Sequence, residues 1–255
     1  FIFLFDRPFS QEFIYEKNVR GLHIPPPARH PVLYYIWFEL SLGRWLNKNK
    51  PDLFLSPDGY LSLNAKVPQI PVIHDLNFEH YPKDLSWINS WHYRKFFPKY
   101  AKKAKEIITV SEFSKKEIHE LYQIPEAKIK VVCNGISSDF SLDKLKETKL
   151  SVKEKYAKGA PYFLAVGAIH PRKNITRLLQ AFESFKQKQN CDLKLLIVGE
   201  PYRWTPEMQR ALKQNAYNKD IIFTGRINNH ELACAYAEAF ALTYVSYYEG
   251  FGIPV

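Results

Sequence analysis

The chain has 255 residues, 46% hydrophobic and 15% aromatic, which is enough apolar material for one large core or two modest ones and excludes a chain disordered throughout. Its formal net charge of +10 is divided equally between residues 1–150 and 151–255, so neither half is a basic tail. Cys133, Cys191 and Cys234 are far apart and lack zinc-like spacing, which fits a reducing, cytoplasmic compartment, and no apolar run approaches the ~20 residues of a spanning helix.

Phe1–Phe5 reads as a strand already under way, and Val19–His23 as a second extended piece. The prolines at 25–27 and 31 mark a loop. From Val32 to Leu46 the apolar positions recur at helical spacing, until Pro51-Asp52 stops the pattern. Leu53–Leu55 and Ile70–Ile73 are predicted strands, with His74-Asp75 directly at the carboxyl end of the second. Residues 76–92 are aromatic-rich and read as loop, followed by a helix at Pro98–Ala104 and a strand at Glu106–Val110. Ser111 or Ser114 caps the next helix, with Glu117 three after Ser114 as in a capping box. Ile129–Val132 is one more strand, ended by the turn signal Asn134-Gly135. Residues 139–160 are charged and weakly periodic, so 1–145 is read as a first domain, 146–160 as a linker and 161–255 as a second domain.

The second half alternates more plainly. Strands at Tyr162–Val166, Leu193–Val198, Ile221–Thr224 and Leu242–Val245 are separated by helices at Thr176–Gln187, Pro206–Asn215 and Glu231–Phe240. The alternation predicts right-handed βαβ units, hence an α/β fold of two Rossmann-like domains facing each other across a cleft.

Four strand ends carry residues that could do chemistry: His74-Asp75, Arg172-Lys173, Gly199-Glu200, and Glu249 with Gly250, Phe251 and Gly252. The arginine–lysine pair is the odd one. It lies just before a helix for which Asn174 reads as the N-cap, and fixed cations at a helix start are unfavourable by a few tenths to ~1 kcal/mol each. A bound anion reverses that sign, because cations and backbone N–H groups then converge on it. The plain alternative is that both side chains point into water. Open α/β sheets, however, bind ligands at the carboxyl ends of their strands, which favours an anion site. His74 alone reads more simply as a packed histidine, and Gly250-Phe251-Gly252 as a turn. Even so, the two glycines would let backbone N–H groups approach a ligand closely.

GAIHPRKN (Gly167–Asn174) followed by SYYEGFGIPV (Ser246–Val255) resembles the retaining family 4, or group 1, glycosyltransferases of the GT-B fold. VIHDL (Val72–Leu76), ITVSEFSKKEI (Ile108–Ile118), VVCNGI (Val131–Ile136) and FTGRI (Phe223–Ile227) support the match. The resemblance implies that Arg172 and Lys173 hold the donor diphosphate in place of a divalent metal, so neither metal nor cofactor is expected. It implies further that Glu249 binds the donor sugar, that Phe251 and Gly252 offer backbone N–H groups, and that His74 lies near the reacting centre. Gly167, Asn174, Gly199 and Gly250 join the donor site by the same resemblance, and Arg226-Ile227 lies where the nucleobase would rest. The donor is then a UDP- or GDP-sugar, and the acceptor a saccharide or lipid-linked saccharide of the cell envelope. The family's second motif glutamate would fall beyond Val255 and its first strand before Phe1, which implies a chain truncated at both ends.

Two other classes are weighed. Non-hydrolysing nucleotide-sugar epimerases share the fold but need no acceptor. The other is a non-enzymatic membrane- or nucleic-acid-binding protein built around Arg94–Lys116, which carries eight basic and two acidic residues among aromatics. As a secondary feature the same segment would suit an anionic membrane at the inner face. Nucleic acid is not expected, since no recognised reader motif is present.

Overall fold

The computed structural model describes residues 1–141, 145 and 151–255. They divide into two compact units, Phe1–Cys133 and Asn134–Val255.

In the first unit, β1 (Ile2–Phe5) pairs in parallel with β2 (Arg20–His23). A four-stranded parallel sheet follows in chain order: β3 (Phe54–Ser56), β4 (Gln69–Ile73), β5 (Ile107–Thr109) and β6 (Ile129–Val131). The helical stretch predicted from Val32 is made of α1 (Pro31–Tyr35), a π-helical segment Ile36–Leu42 and α2 (Gly43–Asn49). Pro31 at the start of α1 needs no N–H partner there, so it opens the helix rather than extending the loop. The widened turn carries the buried carboxylate of Glu39, which accepts from Leu63 N (2.8 Å) and Asn64 N (3.0 Å). α3 (Asn77–His80) is short.

Residues 76–92 are not the loop that their composition predicts. α4 spans Trp87–Lys103, capped by Ser86 Oγ, which accepts from Asn89 N. Aromatic residues on nearly every side of the helix hide its period, and Pro98 within it suggests a break. An interior proline costs about 3 kcal/mol. Burial of Phe96, Phe97 and Tyr100 against the core of the first unit offsets that, at roughly 1.5–3 kcal/mol per large side chain. α5 (Glu112–Tyr122) is capped as read, by Ser111 Oγ accepting from Ser114 N.

His92 on α4 is only 2% exposed, and neither ring nitrogen has a hydrogen-bond partner. It lies among Tyr34, Tyr60, Tyr93 and Phe96. Desolvation lowers its pKa from 6.5 to about 4. The unfolded chain therefore binds a proton that the folded chain refuses, and stability falls as pH drops from 6.5 towards 4, by up to about 3 kcal/mol. His92→Phe keeps the ring packing and removes the charge. The variant should melt above the parent at pH 5 and close to it at pH 8, measured by circular dichroism. Equal pH dependence would show that His92 is not the acid-sensitive group.

In the second unit, the described part of 146–160 is more than a connection. α6 (Val152–Ala157) buries Val152 and Ala157 beside Tyr162, Leu164 and Cys234, and Lys153 N donates to Glu238 Oε2 at 2.6 Å. Its lysines mask an apolar pair too short to register as a period. Residues 146–150 lie outside the described set.

The strands β7 (Tyr162–Val166), β8 (Lys194–Val198), β9 (Ile221–Gly225) and β10 (Ala241–Leu242) form one parallel sheet in the order β10-β7-β8-β9. α7 (Ile175–Lys188), α8 (Pro206–Gln214) and α9 (Asn229–Glu238) connect them. Along β8, Leu195 and Ile197 join the cluster with Leu179 and Met208, while Leu196 and Val198 join Leu164 and Ala235. The alternation explains the unbroken apolar run: helices cover both faces of the sheet. β10 ends at Leu242, shorter than the predicted Leu242–Val245. With its two parallel four-stranded sheets and covering helices, the fold is α/β and Rossmann-like.

Candidate functional site

The strand order of the second sheet places a site before any side chain is considered. From β7 the chain moves outward through β8 and β9, then returns to the other side of β7 as β10. Loops leaving β7 and β10 therefore diverge, which opens a crevice at their carboxyl ends, the switch point where such sheets bind ligands. The β7 loop carries Arg172 and Lys173, and the β10 loop carries Glu249.

These three side chains meet. Lys173 Nζ lies 2.7 Å from Glu249 Oε1, and Arg172 Nη1 contacts Glu249 Oε2 and donates to Tyr248 O at 3.0 Å. The Arg172, Lys173 and Glu249 side chains are 19%, 13% and 18% exposed, so the pair does not point into water. Arg172 Nε is buried without a hydrogen-bond partner, leaving donor capacity unused. Burial alone would raise the pKa of Glu249, but hydrogen bonds from Lys173 and Ser246 and the charges of Arg172 and Lys173 outweigh it and hold the carboxyl below its ordinary 4.5. Two cations share one carboxylate in a largely dry setting, and the site has surplus positive charge.

Local chemistry explains the loop. His170 Nδ1 accepts from Arg172 N (3.2 Å), and Pro171 opens a 3-10 turn, Pro171–Lys173. Asn174 does occupy the position before α7, but it is left-handed (φ 58°) and makes no side-chain cap. Its Nδ2 instead donates to Val245 O at 3.1 Å, which ties the two loops together. The N-cap reading of Asn174 is corrected accordingly: asparagine is tolerated here for its left-handed backbone.

Two glycines make room. Gly167 has φ 136°, and a Cβ there would meet Lys173 Cε at 2.8 Å. Gly199 has φ 151°, and its Cβ would fall 2.0 Å from the backbone oxygen of Gly167. Only residues lacking a side chain let the ends of β7 and β8 lie this close. Beyond Glu249, Gly250 is buried, Phe251 is exposed and Gly252 takes φ 95°. At the end of β9, Arg226 N donates to Glu200 Oε1 at 3.3 Å, the Arg226 side chain is exposed, and Ile227 packs against the core. Arg226 and Ile227 thus follow another strand of the sheet, outside the Arg172–Lys173–Glu249 cluster.

His74 belongs to the first unit. It is exposed, with Nε2 2.9 Å from Pro57 O, and it borders a cavity of about 600 Å3 at the carboxyl ends of β1 and β4. Asp6, Arg7, Tyr34, Asp58 and Tyr60 line the same cavity. Asp6 pairs with Arg7 at 2.9 Å and accepts from Ala28 N at 2.7 Å. Asp75, a candidate carboxylate by sequence, accepts from Asn77 N at 3.0 Å, as a turn-forming aspartate does.

Comparison with known proteins shows the family. Residues 2–140 match the model for Glycosyltransferase Family 4, and residues 146–255 match that for Glycosyl transferases group 1. The chain belongs to the group 1 glycosyltransferases. It is 30% identical over 237 residues to O-antigen chain mannosyltransferase B of Escherichia coli, covering 89% of this chain and 60% of that protein. It is 31% identical over 187 residues to O-antigen chain mannosyltransferase RfbU of Salmonella typhimurium, covering 73% of this chain and 48% of that one. The chain therefore spans about half to six-tenths of the curated relatives it matches. Among solved structures, WaaG, a glycosyltransferase involved in lipopolysaccharide biosynthesis, superposes with TM-score 0.69 at 15% identity, covering 94% of this chain and 65% of that one. Anabaena HepE, solved with UDP and glucose, gives TM-score 0.67 at 14% identity, covering 100% and 69%. Both share the GT-B fold.

Sequence reasoning passed over several residues of this glycosyltransferase. Tyr244 faces the cluster, with Lys173 Nζ 5.6 Å from its ring centroid. Burial, with the neighbouring Glu249 carboxylate, pushes its phenol up to about 12, so it remains a neutral donor. Ser246 bonds Glu249. Both follow β10 directly and could have been found by the strand-end rule that selected Glu249. The same rule applied to β1 would have found Asp6 and Arg7. Among the described residues, no helix is long and apolar enough to cross a membrane, and no three His, Cys, Asp or Glu gather so as to hold a metal.

Proposed function

We propose that this glycosyltransferase moves a sugar from a UDP- or GDP-sugar to a saccharide or lipid-linked acceptor, with retention of anomeric configuration and without metal or cofactor. The observation that carries the reading is the convergence of Arg172 and Lys173 on one carboxylate at the switch point of the sheet. A donor diphosphate would exchange for the Glu249 carboxylate against those two cations. As the sugar C1–O bond breaks, its electron pair leaves on the diphosphate, where fixed positive charge in a dry site stabilises it. The acceptor oxygen bonds to C1 on the face from which the diphosphate departs, and its proton passes to the departing diphosphate oxygen. Glu249, released from the cations, accepts hydrogen bonds from the donor sugar hydroxyls, with backbone N–H groups of Phe251 and Gly252 beside it. Gly167, Gly199 and Gly250 keep the approach open, Asn174 holds the two loops together, and Arg226-Ile227 supports the base. We assign the acceptor to the first unit, in the cavity bordered by His74, where tyrosine faces and the Asp6 and Asp58 carboxylates suit a sugar. The mannosyltransferase relatives make mannose the first donor sugar to test and glucose the second. We place the protein in the cytoplasm, peripheral at the inner membrane face, where a lipid-linked acceptor would be met.

The test incubates the complete protein with GDP-mannose or UDP-glucose, with and without a lipid-linked saccharide. Nucleoside diphosphate should appear only when acceptor is present, the new linkage should keep the donor's anomeric configuration by NMR, and EDTA should leave the rate unchanged. Release of UDP with an epimerised free sugar and no acceptor would instead establish an epimerase.

A further inference from the structure

We infer that the outer face of α4 at its N-terminal end docks on an anionic phospholipid bilayer, with Trp87 and Trp91 as its apolar anchors. The inference sharpens the peripheral placement proposed above and rests on it. Its apolar anchors lie outside the basic stretch that the sequence singled out, Arg94–Lys116, whose Lys95 and Lys99 it shares.

Trp87 and Trp91 are four apart on one helix, hence on one face and about one turn apart. They are 79% and 51% exposed. Indoles bring the largest apolar surface of any side chain and normally lie mostly buried, so two together in water call for a partner. With Pro82, Lys83, Leu85 and Arg94 they line an open hollow of about 640 Å3. Tyr35, 46% exposed, continues the aromatic surface, because it and Trp91 both adjoin Phe96, at ring distances of 6.1 and 6.4 Å.

Cations follow the same face. Lys95 Nζ sits 4.5 Å from the centre of the Trp91 ring, Lys99 Nζ 5.6 Å from that of Phe96, and Lys83 is exposed at the rim of the hollow. Arg94 is paired with Glu79 at 3.1 Å and contributes less. Two residues counted in the basic stretch by sequence, on α5, are paired with carboxylates: Lys115 with Glu112 and Glu126 at 4.0 and 3.9 Å, and Lys116 with Glu120 at 3.8 Å. Lys83, Lys95 and Lys99 therefore supply charge beside the indoles, while Lys102, Lys103 and Lys105 further along the chain are exposed as well. Tryptophan favours the headgroup level of a bilayer, where its ring is apolar and its N–H wet, and lysines beside it meet phosphate. Neither contribution holds a protein on a membrane alone, whereas the two together do.

The experiment uses the complete protein with sedimenting vesicles of equal parts phosphatidylglycerol and phosphatidylcholine, and with phosphatidylcholine alone. Binding should be confined to the anionic vesicles and shift tryptophan emission to the blue. W87A/W91A should lower partitioning by about tenfold or more and abolish the shift, and K95E/K99E should lower it by a similar factor. Both changes lie on exposed positions, and an unaltered melting curve confirms the fold. K115A/K116A should bind as the parent does. If W87A/W91A binds like the parent, the assignment to this face is wrong, although the peripheral placement stands. If the parent binds neither vesicle, both fall. Sugar transfer to a detergent-dispersed acceptor is measured separately and does not depend on either result.

Discussion

Replacing Lys173 by alanine in the complete enzyme should lower kcat/KM by about 100-fold or more, and Arg172→Ala should do the same, by analogy with the loss of one donor from an oxyanion hole. The size follows from position. Both cations are largely shielded from water, so in the proposed reaction each would act on a developing phosphate charge in a medium where such interactions are several times stronger than in bulk solvent. The fold should survive. In Lys173→Ala, Glu249 keeps Arg172, and Arg172 keeps Tyr248 O, so the loss is about 1–3 kcal/mol of local interaction rather than an abandoned buried charge. Calorimetric titration with UDP or GDP should show weakened binding alongside the kinetic loss. Turnover at the parent rate would remove the pair from the chemistry.

Glu249→Gln should separate two quantities that usually move together. Transfer should fall steeply, because the carboxylate proposed to hold the donor sugar is lost. Nucleoside diphosphate without its sugar should bind more tightly, by about tenfold, the equivalent of one pKa unit of interaction. The reason is competition: in the parent the diphosphate must displace a carboxylate already seated on both cations, and glutamine, being neutral, yields them readily. The depressed pKa of Glu249 expresses the same attraction as stability. A group whose folded pKa is lowered stabilises the fold above its unfolded value, near 4.5, and that contribution disappears as pH falls through the lower folded value. Glu249→Gln should therefore narrow the stability difference between pH 6 and pH 3 relative to the parent, by thermal melts. Unchanged or weaker diphosphate binding in the variant would refute the displacement argument.

Much of this was legible in the chain because the second half is locally consistent. Apolar runs of strand length and glycine stops at Gly167, Gly199 and Gly225 point to one answer. Arg172 and Lys173 stood out as an electrostatic anomaly at a helix start, and their contact with Glu249 resolves it. Where reading failed, a packing effect had overridden a local signal. α4 hides behind its own aromatics and Pro98, which tertiary burial tolerates, and α6 is too short and lysine-rich to show a period. Asn174 carries the right residue type for a cap but uses its amide across the sheet, a choice only the neighbouring loop can dictate. Tyr244 and Ser246 were missed for want of applying the strand-end rule to every residue after β10. The scatter of lysines along α4 and α5 is uniform in sequence, and only side-chain pairing reveals which of them a carboxylate already satisfies.

The lacing between the β7 and β10 loops has a practical corollary. Asn174 reaches Val245 O, Tyr247 N reaches Arg172 O, and Arg172 reaches Tyr248 O, while Thr243 holds Leu164 O through both its N–H and its hydroxyl. These stitches run between segments some seventy positions apart in the chain, yet they join the segments into a single mechanical part. A chimera that imports either segment by itself from a homologue would tear the seam, whereas a graft carrying both should keep its register, so donor preference in this scaffold should be exchanged as a matched pair.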